Sequence, residues 1–349
     1  MSASSGDAIT NFALELRALL RSRGRSEVFA VHVDPALLHN VHLLGRYDDF
    51  VAPGDTIVYH ASIGNRHVTD LLLSQPERLA LVYHNVSPAT SFEGYEPAFA
   101  ELLRAARDEV ARLRPRVAAA IAVSQYNATD LSSLGYDDVH VVPLIVNPAR
   151  LHGIEPDPAM RDHLDAHVRG PMALFVGQLL PHKRPELLVE ALHCVATYLE
   201  PSAHLVLLGA RRIAPFAAAL QRQIVELGLA NAWITGALGD SEMRAFFDRA
   251  DVFVTASDHE GFCVPLLEAM SFDVPVVARG TSAVPETMGG AGIVLDPSDG
   301  TLVLAEAWAA ALEPATAAHL TRLGHRRLAA FDANRTRMRW AELLGAVGD

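Results

Sequence analysis

The chain has 349 residues and a formal net charge of −12, and half of its residues are hydrophobic. This acidic balance excludes nucleic acid as the expected partner, because a phosphate backbone is bound by a basic surface. Two cysteines cannot form a disulfide framework, and we find no apolar run near the ~18 residues that span a bilayer. We therefore expect a cytoplasmic protein with room for two domains.

The first 150 residues alternate helical and strand-like patterns. Apolar residues at helical spacing between Ile9 and Leu20 predict a first helix, and Asp7 before them is a typical helix N-cap. A second helix is predicted over residues 99–113. The predicted strands cover residues 28–33, 56–59, 79–83, 118–123 and 139–144.

A proline-rich, charged stretch over residues 147–169 is interpreted as a linker that opens a second series of elements. A last helix is predicted over residues 305–312, before a polar stretch rich in arginine. The predicted strands of this series cover residues 172–176, 204–208, 232–235, 252–255, 274–278 and 292–295. The predicted helices between them cover residues 185–198, 215–227, 240–249 and 265–271.

Short strands that alternate with longer helices predict an α/β fold with parallel sheets. The two series predict two Rossmann-like β/α/β domains that face each other across a cleft. We place the first domain at residues 1–150 and the second at residues 151–334. Residues 335–349 are expected to form a C-terminal segment that returns to the first domain.

The residues from Gly177 to Lys183 form a strand, a glycine turn and a loop that leads to a helix at Pro185. The helix start offers free N–H groups to an anion. Lys183 is the only lysine of the chain. In an arginine-rich chain, a retained lysine suits contact between a compact ammonium and a phosphate, although codon bias and an ordinary strand–helix connection explain the same residues.

Two carboxylates stand eight residues apart in the stretch Glu-Gly-Phe-Cys-Val-Pro-Leu-Leu-Glu, from Glu260 to Glu268. A buried strand precedes Glu260, and Glu268 falls about one turn into a helix. Both are therefore expected at the carboxyl edge of the sheet, where ligands bind in open α/β folds. An acid and nucleophile pair of a glycosidase is an alternative, but two holding points in one domain fit this spacing better.

The sequence lacks the patterns that are typical of several other types of site. The chain has no CxxC, HExxH or Asp-x-Asp pattern, so no metal site is expected. It also lacks the GxxxxGK[ST] and GxGxxG patterns, so no cofactor is expected. Cys263 has no evident base beside it and is interpreted as a packing residue, not a nucleophile.

Taken in order, these motifs resemble glycosyltransferase family 4, whose members are retaining enzymes with the GT-B fold that use nucleotide sugars. The resemblance covers about residues 170–300. A less specific likeness to one bacterial branch of this family covers the first half. The matching stretches are residues 177–183, 234–238, 260–270, 275–278 and 285–286 in the second half, and 6–11, 83–88 and 123–127 in the first.

The resemblance implies a role for each matching residue. Glu268 would bind the ribose of the nucleotide, and Glu260 would hold hydroxyls of the donor sugar. Lys183 would neutralise the departing diphosphate, and His84 would contact the donor sugar from the first domain. Residues expected near the donor through backbone or small side chains are Gly6, Gly177, Gln178, Gly236, Ala237, Gly261, Phe262 and Cys263.

Three features depart from the family pattern. Gln178 stands where the family commonly has Arg, so Lys183 acts alone or Arg184 substitutes. Cys263 stands where a small residue such as Gly is usual. Only five residues precede Gly6, so the first strand of the domain is expected to be missing or lost to a late start. His60, after another strand, is expected to be structural.

The expected function is metal-independent transfer of a sugar, with retention, from a GDP- or UDP-linked donor to a hydroxyl-bearing acceptor. The acceptor is expected at the loop over residues 87–97, where Phe92 and Tyr95 serve either as a platform or as core. A lipid-linked acceptor would bring peripheral membrane contact. Two alternatives remain open: another sugar-nucleotide enzyme, such as an epimerase or phosphorylase, and a non-catalytic scaffold of the same fold.

Overall fold

The computed structural model describes residues 2–4 and 6–348. These residues form two compact units, and each is described by itself. Unit one contains residues 1–90, 98–146 and 331–349, and unit two contains residues 91–97 and 147–330. The structure thus assigns Asn147 to Arg150 to unit two, a few residues earlier than the boundary predicted from the sequence.

Unit one alternates strands and helices. Its helices are α1 (Ala8–Leu20), α2 (Arg66–Ser74), α3 (Pro97–Leu113) and α4 (Gln125–Ser133). Its strands are β1 (Ser2–Ala3), β2 (Phe29–Ala30), β3 (His32–Val33), β4 (His42–Leu43), β5 (Thr56–Ala61), β6 (Arg78–Tyr83), β7 (Val117–Ala122) and β8 (Val139–Val141).

The strands of unit one form one larger sheet and two small ones. The larger sheet is parallel, in the order β5-β6-β7-β8. The small parallel pairs are β1 with β3 and β2 with β4. The predicted strand over residues 28–33 is therefore divided, and a two-residue strand is present where the sequence suggested that the first strand was missing.

Three helices of unit one begin directly after a residue whose side chain caps the helix. Asp7 caps α1 as expected, since its carboxylate accepts a hydrogen bond from the Thr10 amide at 2.9 Å. Asn65 caps α2 and Ser124 caps α4 in the same way. These caps set the direction in which each helix leaves the sheet.

Unit two is built on the same alternation. Its strands are β9 (Met172–Val176), β10 (His204–Leu208), β11 (Ala232–Gly236), β12 (Val252–Thr255), β13 (Val276–Arg279) and β14 (Ile293–Leu295). Its helices are α5 (Pro158–His167), α6 (Pro185–Tyr198), α7 (Ala214–Glu226), α8 (Asp240–Arg249), α9 (Val264–Ser271), α10 (Val284–Met288), α11 (Thr301–Leu312) and α12 (Pro314–Leu328).

The sheet of unit two is parallel, in the order β11-β10-β9-β12-β13-β14. Its central strands are buried on both faces, and the core includes Phe175, Leu207 and Trp308. The chain order reverses between β9 and β12, which is a topological switch point. Ligands of doubly wound sheets bind at the carboxyl ends of the strands that flank such a point.

Two stretches are more regular than the sequence pattern predicted. The linker over residues 147–169 contains α5, which Asp157 caps with Pro158 at the first helical position. The arginine-rich stretch after residue 312 is helical and forms α12 and then α13 (Ala333–Gly348). Helix α13 belongs to unit one, where Trp340 is fully buried and its indole donates a hydrogen bond to the Pro143 carbonyl at 2.8 Å.

Candidate active site

The switch point of unit two brings Lys183 and Glu260 together. Lys183 follows β9 in a short 3-10 turn, Pro181–Lys183, and Glu260 follows β12. Lys183 Nζ lies 2.6 Å from Glu260 Oε2, although 77 residues separate them in the chain. Strands β9 and β12 are hydrogen-bonded neighbours, so their following loops meet at one edge.

Glu260 is only 8% exposed, and both of its carboxylate oxygens are held. Ser257 Oγ donates to Glu260 Oε1 at 2.8 Å, and Thr255 Oγ1 lies 3.1 Å from Ser257 Oγ. The Glu260 amide donates to Ser282 Oγ at 2.7 Å. A buried carboxylate with these partners has a fixed orientation, as a group that holds ligand hydroxyls requires.

Glu268 lies on α9 and is 6% exposed. Arg150 Nε donates to Glu268 Oε1 at 3.0 Å, and Arg150 Nη1 donates to Asp240 Oδ1 at 2.7 Å. Burial raises the pKa of Glu268, whereas the charge and hydrogen bond of Arg150 lower it. The sequence analysis did not identify Arg150 as the partner of Glu268, because Arg150 lies in the stretch interpreted as a linker.

Three glycines stand at the carboxyl ends of neighbouring strands. Gly177, Gly209 and Gly236 follow or end β9, β10 and β11. The Gly177 amide donates to the Leu208 carbonyl at 2.9 Å, and the Gly209 amide donates to the Gly236 carbonyl at 3.0 Å. A Cβ on Gly209 would lie 1.8 Å from the Gly177 carbonyl oxygen. Gly209, which the motifs did not single out, is thus required for this close packing.

Gly236 has a φ of 88°, and the exposed Ala237 follows it. Both lie at the same sheet edge as Gly177, on the side of β11. A glycine with positive φ lets the backbone turn away from the sheet without steric cost. These two residues stay predicted donor contacts.

The loop from Gly261 to Cys263 leads into α9. Thr287 Oγ1 donates to the Phe262 carbonyl, and the Phe262 side chain is 6% exposed. Cys263 is the N-cap residue of α9 with a φ of 70°, a left-handed conformation that favours glycine. Burial and the nearby Glu260 raise the pKa of the Cys263 thiol well above its usual range. A thiol held protonated in this way suits packing and not nucleophilic attack.

The sequence left two possibilities for the positive charge missing at Gln178: Lys183 acts alone, or Arg184 substitutes for the arginine. Arg184 is held in ion pairs with Glu186 and with Asp258, the latter at 2.9 Å. Arg212 is the residue whose guanidinium reaches Gln178, with 3.5 Å between Arg212 Nη1 and Gln178 Oε1. Arg212 is exposed, so its charge beside Gln178 is accessible to a ligand.

In unit one, His84 follows β6 and pairs with His60 at the end of β5. His60 Nδ1 lies 3.0 Å from His84 Nε2, and Phe12 contacts both rings edge-on at 5.5 and 5.7 Å. Burial lowers the pKa of His60 to about 4, and burial together with His60 lowers the pKa of His84 well below its usual value. Both rings are therefore neutral at pH 7. His60, expected to be structural, is the direct partner of His84.

The two polar motifs of unit one also meet in space. Asn85 has a φ of 78°, and its side-chain amide donates to Asn127 Oδ1 at 2.9 Å. Asn127 in turn donates to the Tyr83 carbonyl at 3.3 Å. The motif at residues 83–88 is thus tied to the motif at residues 123–127. Gly6, with a φ of 76°, lies in the turn before α1.

The segment over residues 91–97 belongs to unit two. Phe92 is fully buried, and its ring lies 5.4 Å from that of His182, so it is a core residue. Tyr95 is 40% exposed and packs edge-on against Phe216 at 5.1 Å. Of the two aromatic residues, only Tyr95 has surface to offer a ligand.

Two features that are absent from the described residues bear on the type of site. Among residues 2–4 and 6–348, no group of three or more His, Cys, Asp or Glu side chains is arranged to hold a metal ion. Over the same residues, no helix combines the length and the apolar character that a bilayer crossing requires.

The segment that carries Lys183, Glu260 and Glu268 is similar to a known protein family. Residues 157–317 match the family model described as "Glycosyl transferases group 1". The matched segment lies within the second unit. It contains the whole sheet of unit two and helices α5 to α11.

The curated relatives match over part of their length. The O-antigen chain mannosyltransferase B of Escherichia coli is 35% identical over 129 residues, which are 36% of this chain and 33% of the relative. A GDP-mannose-dependent alpha-(1-6)-phosphatidylinositol monomannoside mannosyltransferase of Mycobacterium tuberculosis is 30% identical over 154 residues, 40% of this chain and 39% of the relative. The chain thus covers well under half of each relative.

A solved structure matches nearly the whole chain. Anabaena HepE, solved in complex with UDP-glucose, has a TM-score of 0.76 and 20% identity, over 99% of this chain and 98% of that one. At this identity the likeness concerns the fold. The chain has the GT-B fold, with a Rossmann-like parallel sheet in each unit.

Proposed function

We propose that this protein is a retaining glycosyltransferase that transfers a sugar from a nucleotide-diphosphate donor to a hydroxyl acceptor without a metal ion. The observation that carries the proposal is the pairing of Lys183 with Glu260 at the switch point of a group 1 glycosyl transferase domain. One ammonium and two oriented carboxylates there match the three parts of a nucleotide sugar: the phosphates, the sugar and the ribose.

Lys183 supplies the charge chemistry in this proposal. As the bond from the sugar to the diphosphate breaks, negative charge grows on the leaving phosphate. Lys183 and the free N–H groups at the start of α6 stabilise this charge. The leaving phosphate takes the proton of the acceptor hydroxyl on the same face of the sugar. No protein nucleophile is then needed, and the configuration of the sugar is retained.

The carboxylates hold the donor. Glu260 accepts hydrogen bonds from sugar hydroxyls, and its carboxylate is oriented by Ser257 and Lys183. Glu268 accepts hydrogen bonds from the ribose through Oε2, since Oε1 is bound by Arg150. The glycines at the ends of β9 and β11 allow the nucleotide to approach the backbone. His84, as a neutral ring, is proposed to contact the donor sugar.

GDP-mannose is the first donor to test. The relative from M. tuberculosis is named as GDP-mannose-dependent, and its match to this chain lies at 30% identity. HepE was solved with UDP-glucose, so UDP-glucose is the matched alternative. The name of the M. tuberculosis relative gives phosphatidylinositol monomannoside as its acceptor. We accordingly propose a cytoplasmic enzyme that contacts the membrane peripherally to reach a lipid-linked acceptor.

The proposal is tested by nucleotide binding and by turnover. Calorimetry with GDP and UDP should show tight binding of one diphosphate, and Lys183→Ala should reduce turnover by about 10²–10³. Lys183→Arg keeps a cation and controls for charge alone. Near-normal turnover of a folded Lys183→Ala variant would refute the role of Lys183.

Two alternatives predict different results. A sugar-nucleotide epimerase or phosphorylase would convert the donor without any hydroxyl acceptor. A non-catalytic GT-B scaffold would bind neither GDP nor UDP. Incubation of GDP-mannose and UDP-glucose with and without an acceptor pool, followed by analysis of the nucleotide products, distinguishes all three.

A further inference from the structure

The surface of unit two carries three histidine rings around one tryptophan, Trp233. His163 and His167 lie in the second half of α5, and His204 is the first residue of β10. The ring centroids of His163, His167 and His204 lie 5.6, 6.5 and 5.8 Å from that of Trp233. None of these four residues has a role in the proposed sugar transfer.

These rings are remote from Lys183 and Glu260. Strands β10 and β11 are parallel neighbours, and His204 and Trp233 lie within the first two residues of each. Lys183 and Glu260 follow the carboxyl ends of β9 and β12 in the same parallel sheet. Because all of these strands run in one direction, the two groups lie at opposite edges of the sheet. A ligand at the histidines therefore does not enter the candidate active site.

His163 and His167 are four residues apart on α5, and both are exposed. Side chains at this spacing share one face of an α-helix. Their ring centroids are 4.3 Å apart, with 31° between the ring planes. Two imidazoles that bind one metal ion at about 2.0 Å, with an angle of about 90° between them, have centroids about 4.5 Å apart. The observed separation is close to this value.

The hydrogen bond of His167 leaves one ring nitrogen free to bind a cation. His167 Nδ1 lies 2.8 Å from the His163 carbonyl oxygen. A carbonyl only accepts hydrogen bonds, so Nδ1 carries the proton and the lone pair of the neutral ring is on Nε2. Metal-binding histidines commonly donate their other N–H in this way, which fixes the tautomer and the orientation of the ring. His204 Nδ1 lies 2.8 Å from the Ser202 carbonyl oxygen and has the same arrangement.

The ligand types select the class of ion. Among the residues that the structure describes, no third His, Cys, Asp or Glu completes a metal-binding group with His163 and His167. Two imidazoles and water are therefore the ligands on offer. Imidazole suits Cu²⁺, Ni²⁺ and Zn²⁺, and Cu²⁺ binds most tightly in this series, whereas Mg²⁺ and Ca²⁺ prefer oxygen ligands.

We propose that His163 and His167 form a surface site for a late first-row transition-metal ion, with Cu²⁺ bound most tightly. The ion joins two successive turns of α5 and so holds its last turn, which ends at His167. Trp233 packs beside the site. This inference is independent of the proposed sugar transfer.

Tryptophan fluorescence of the whole chain tests the site. The chain has three tryptophans, of which Trp308 and Trp340 are fully buried, whereas Trp233 is partly exposed beside the two rings. Titration with CuCl₂ should quench Trp233 in a saturable manner, and excess EDTA should restore the emission. MgCl₂ should have no effect. Trp233→Phe should remove the quenching, which assigns the signal to this position.

Two variants remove one ligand each. His163→Gln or His167→Gln should raise the Cu²⁺ concentration of half-maximal quenching at least about tenfold, since loss of even an outer-shell partner costs that much in metal affinity. Both side chains are exposed, so both variants should fold. His319→Gln is the matched control, because His319 is another exposed histidine on a helix of unit two, and it should leave the midpoint unchanged.

Hydrogen exchange read by mass spectrometry gives a second readout. CuCl₂ should slow exchange in the last turn of α5 in the native chain and not in His167→Gln. Equal quenching midpoints for the native chain and both ligand variants would overturn the proposal. An equal shift in His319→Gln would do the same, because it would indicate general binding to surface imidazoles. Full quenching in Trp233→Phe would place the ion beside another tryptophan and would likewise overturn it.

Discussion

Lys183 Nζ and Glu260 Oε2 are 2.6 Å apart, so the only lysine of the chain is bound to the first carboxylate of the site. The two side chains are 19% and 9% exposed. Removal of Lys183 should leave the buried Glu260 carboxylate without its compensating charge. Under the proposed function it should also remove a cation that stabilises the diphosphate. The effect on stability must therefore be distinguished from the effect on turnover before a role is assigned to Lys183.

A double substitution separates them. Lys183→Ala should lower both the melting temperature and the turnover. Adding Glu260→Gln removes the unpaired charge and should restore much of the melting temperature, while turnover stays at least about 10²-fold reduced. Thermal melting and a nucleotide-release assay measure the two effects. Recovery of turnover together with stability would show that Lys183 is structural.

Substitution of Arg150 should weaken donor binding through Glu268. Arg150→Ala removes the group that lowers the pKa of Glu268, so this pKa should rise further. We expect roughly tenfold weaker nucleotide binding, about 1.4 kcal/mol, because a protonated Glu268 holds two ribose hydroxyls poorly. The loss should be greatest at low pH. Calorimetry between pH 5.5 and 8 measures this shift.

The stability of the same variant should show the opposite pH trend. A carboxyl group whose folded pKa is raised contributes stability below its unfolded pKa, and this stability is lost as pH rises through the folded pKa. The melting deficit of Arg150→Ala should therefore grow with rising pH. Glu268→Gln in the same background is the control, and it should remove the pH dependence. A deficit independent of pH would exclude Glu268 as its cause.

The pair His60 and His84 should make unit one sensitive to acid. Burial lowers the pKa values of both histidines. In the unfolded chain these histidines bind protons below pH ~6.5, whereas in the folded state they stay neutral to lower pH. Stability is thus present above pH ~6.5 and is lost as pH falls toward 4. His60→Phe keeps the ring contact with Phe12 and should flatten the fall in melting temperature between pH 7 and 4.5.

An exposed histidine serves as control for this experiment. His319 lies on the surface of α12, and His319→Gln should leave the pH profile of melting unchanged. Parallel profiles for wild type and His60→Phe would contradict the role of the buried pair. If His84 contacts the donor, His60→Phe should also change turnover more than nucleotide affinity, because it alters the orientation of the His84 ring.

Arg212 should assist binding of the diphosphate, because Gln178 occupies the position where the family commonly has an arginine. Its guanidinium is exposed, so the effect should be small, about two- to fivefold in affinity. Arg212→Ala should weaken GDP binding without a matching loss for GMP, and the loss should shrink at high salt. Arg211→Ala is the matched control, since Arg211 donates to the Ile234 carbonyl at 2.8 Å. Equal losses in both variants would show a general charge effect.

Cys263→Gly should be more stable than Cys263→Ala, because both variants lose the packed thiol but only glycine adopts this backbone conformation without strain. The left-handed conformation at φ 70° costs a residue with a side chain about 1 kcal/mol relative to glycine. Cys263→Ala removes the same thiol but keeps the strained conformation. Urea unfolding of the two variants measures the difference. Equal stability of the glycine and alanine variants would contradict a conformational cost at this position.

Much of unit two follows from local sequence patterns. The strands that end before Gly177 and Glu260 are continuous apolar runs, and Pro185 and Pro265 occupy the first positions of their helices. The predicted and observed bounds of β9, β10 and β12 are identical. The pattern does not predict helix α5, because its apolar periodicity is weak and the three prolines and several charges of residues 147–169 indicate a linker. The helices after residue 312 were missed because their many arginines obscured the periodicity.

The sequence by itself determined the alternation of strands and helices, the edge of the sheet at which Lys183 and Glu260 lie, and the resemblance of the second unit to a glycosyltransferase family. These depend on periodicity, turn residues and spacing within about 10 residues. Only the tertiary structure decided that Arg150 binds Glu268 and that His60 binds His84. Such contacts join residues 24 to 118 positions apart. Strand order and packing bring them together, and neither is written in the local pattern.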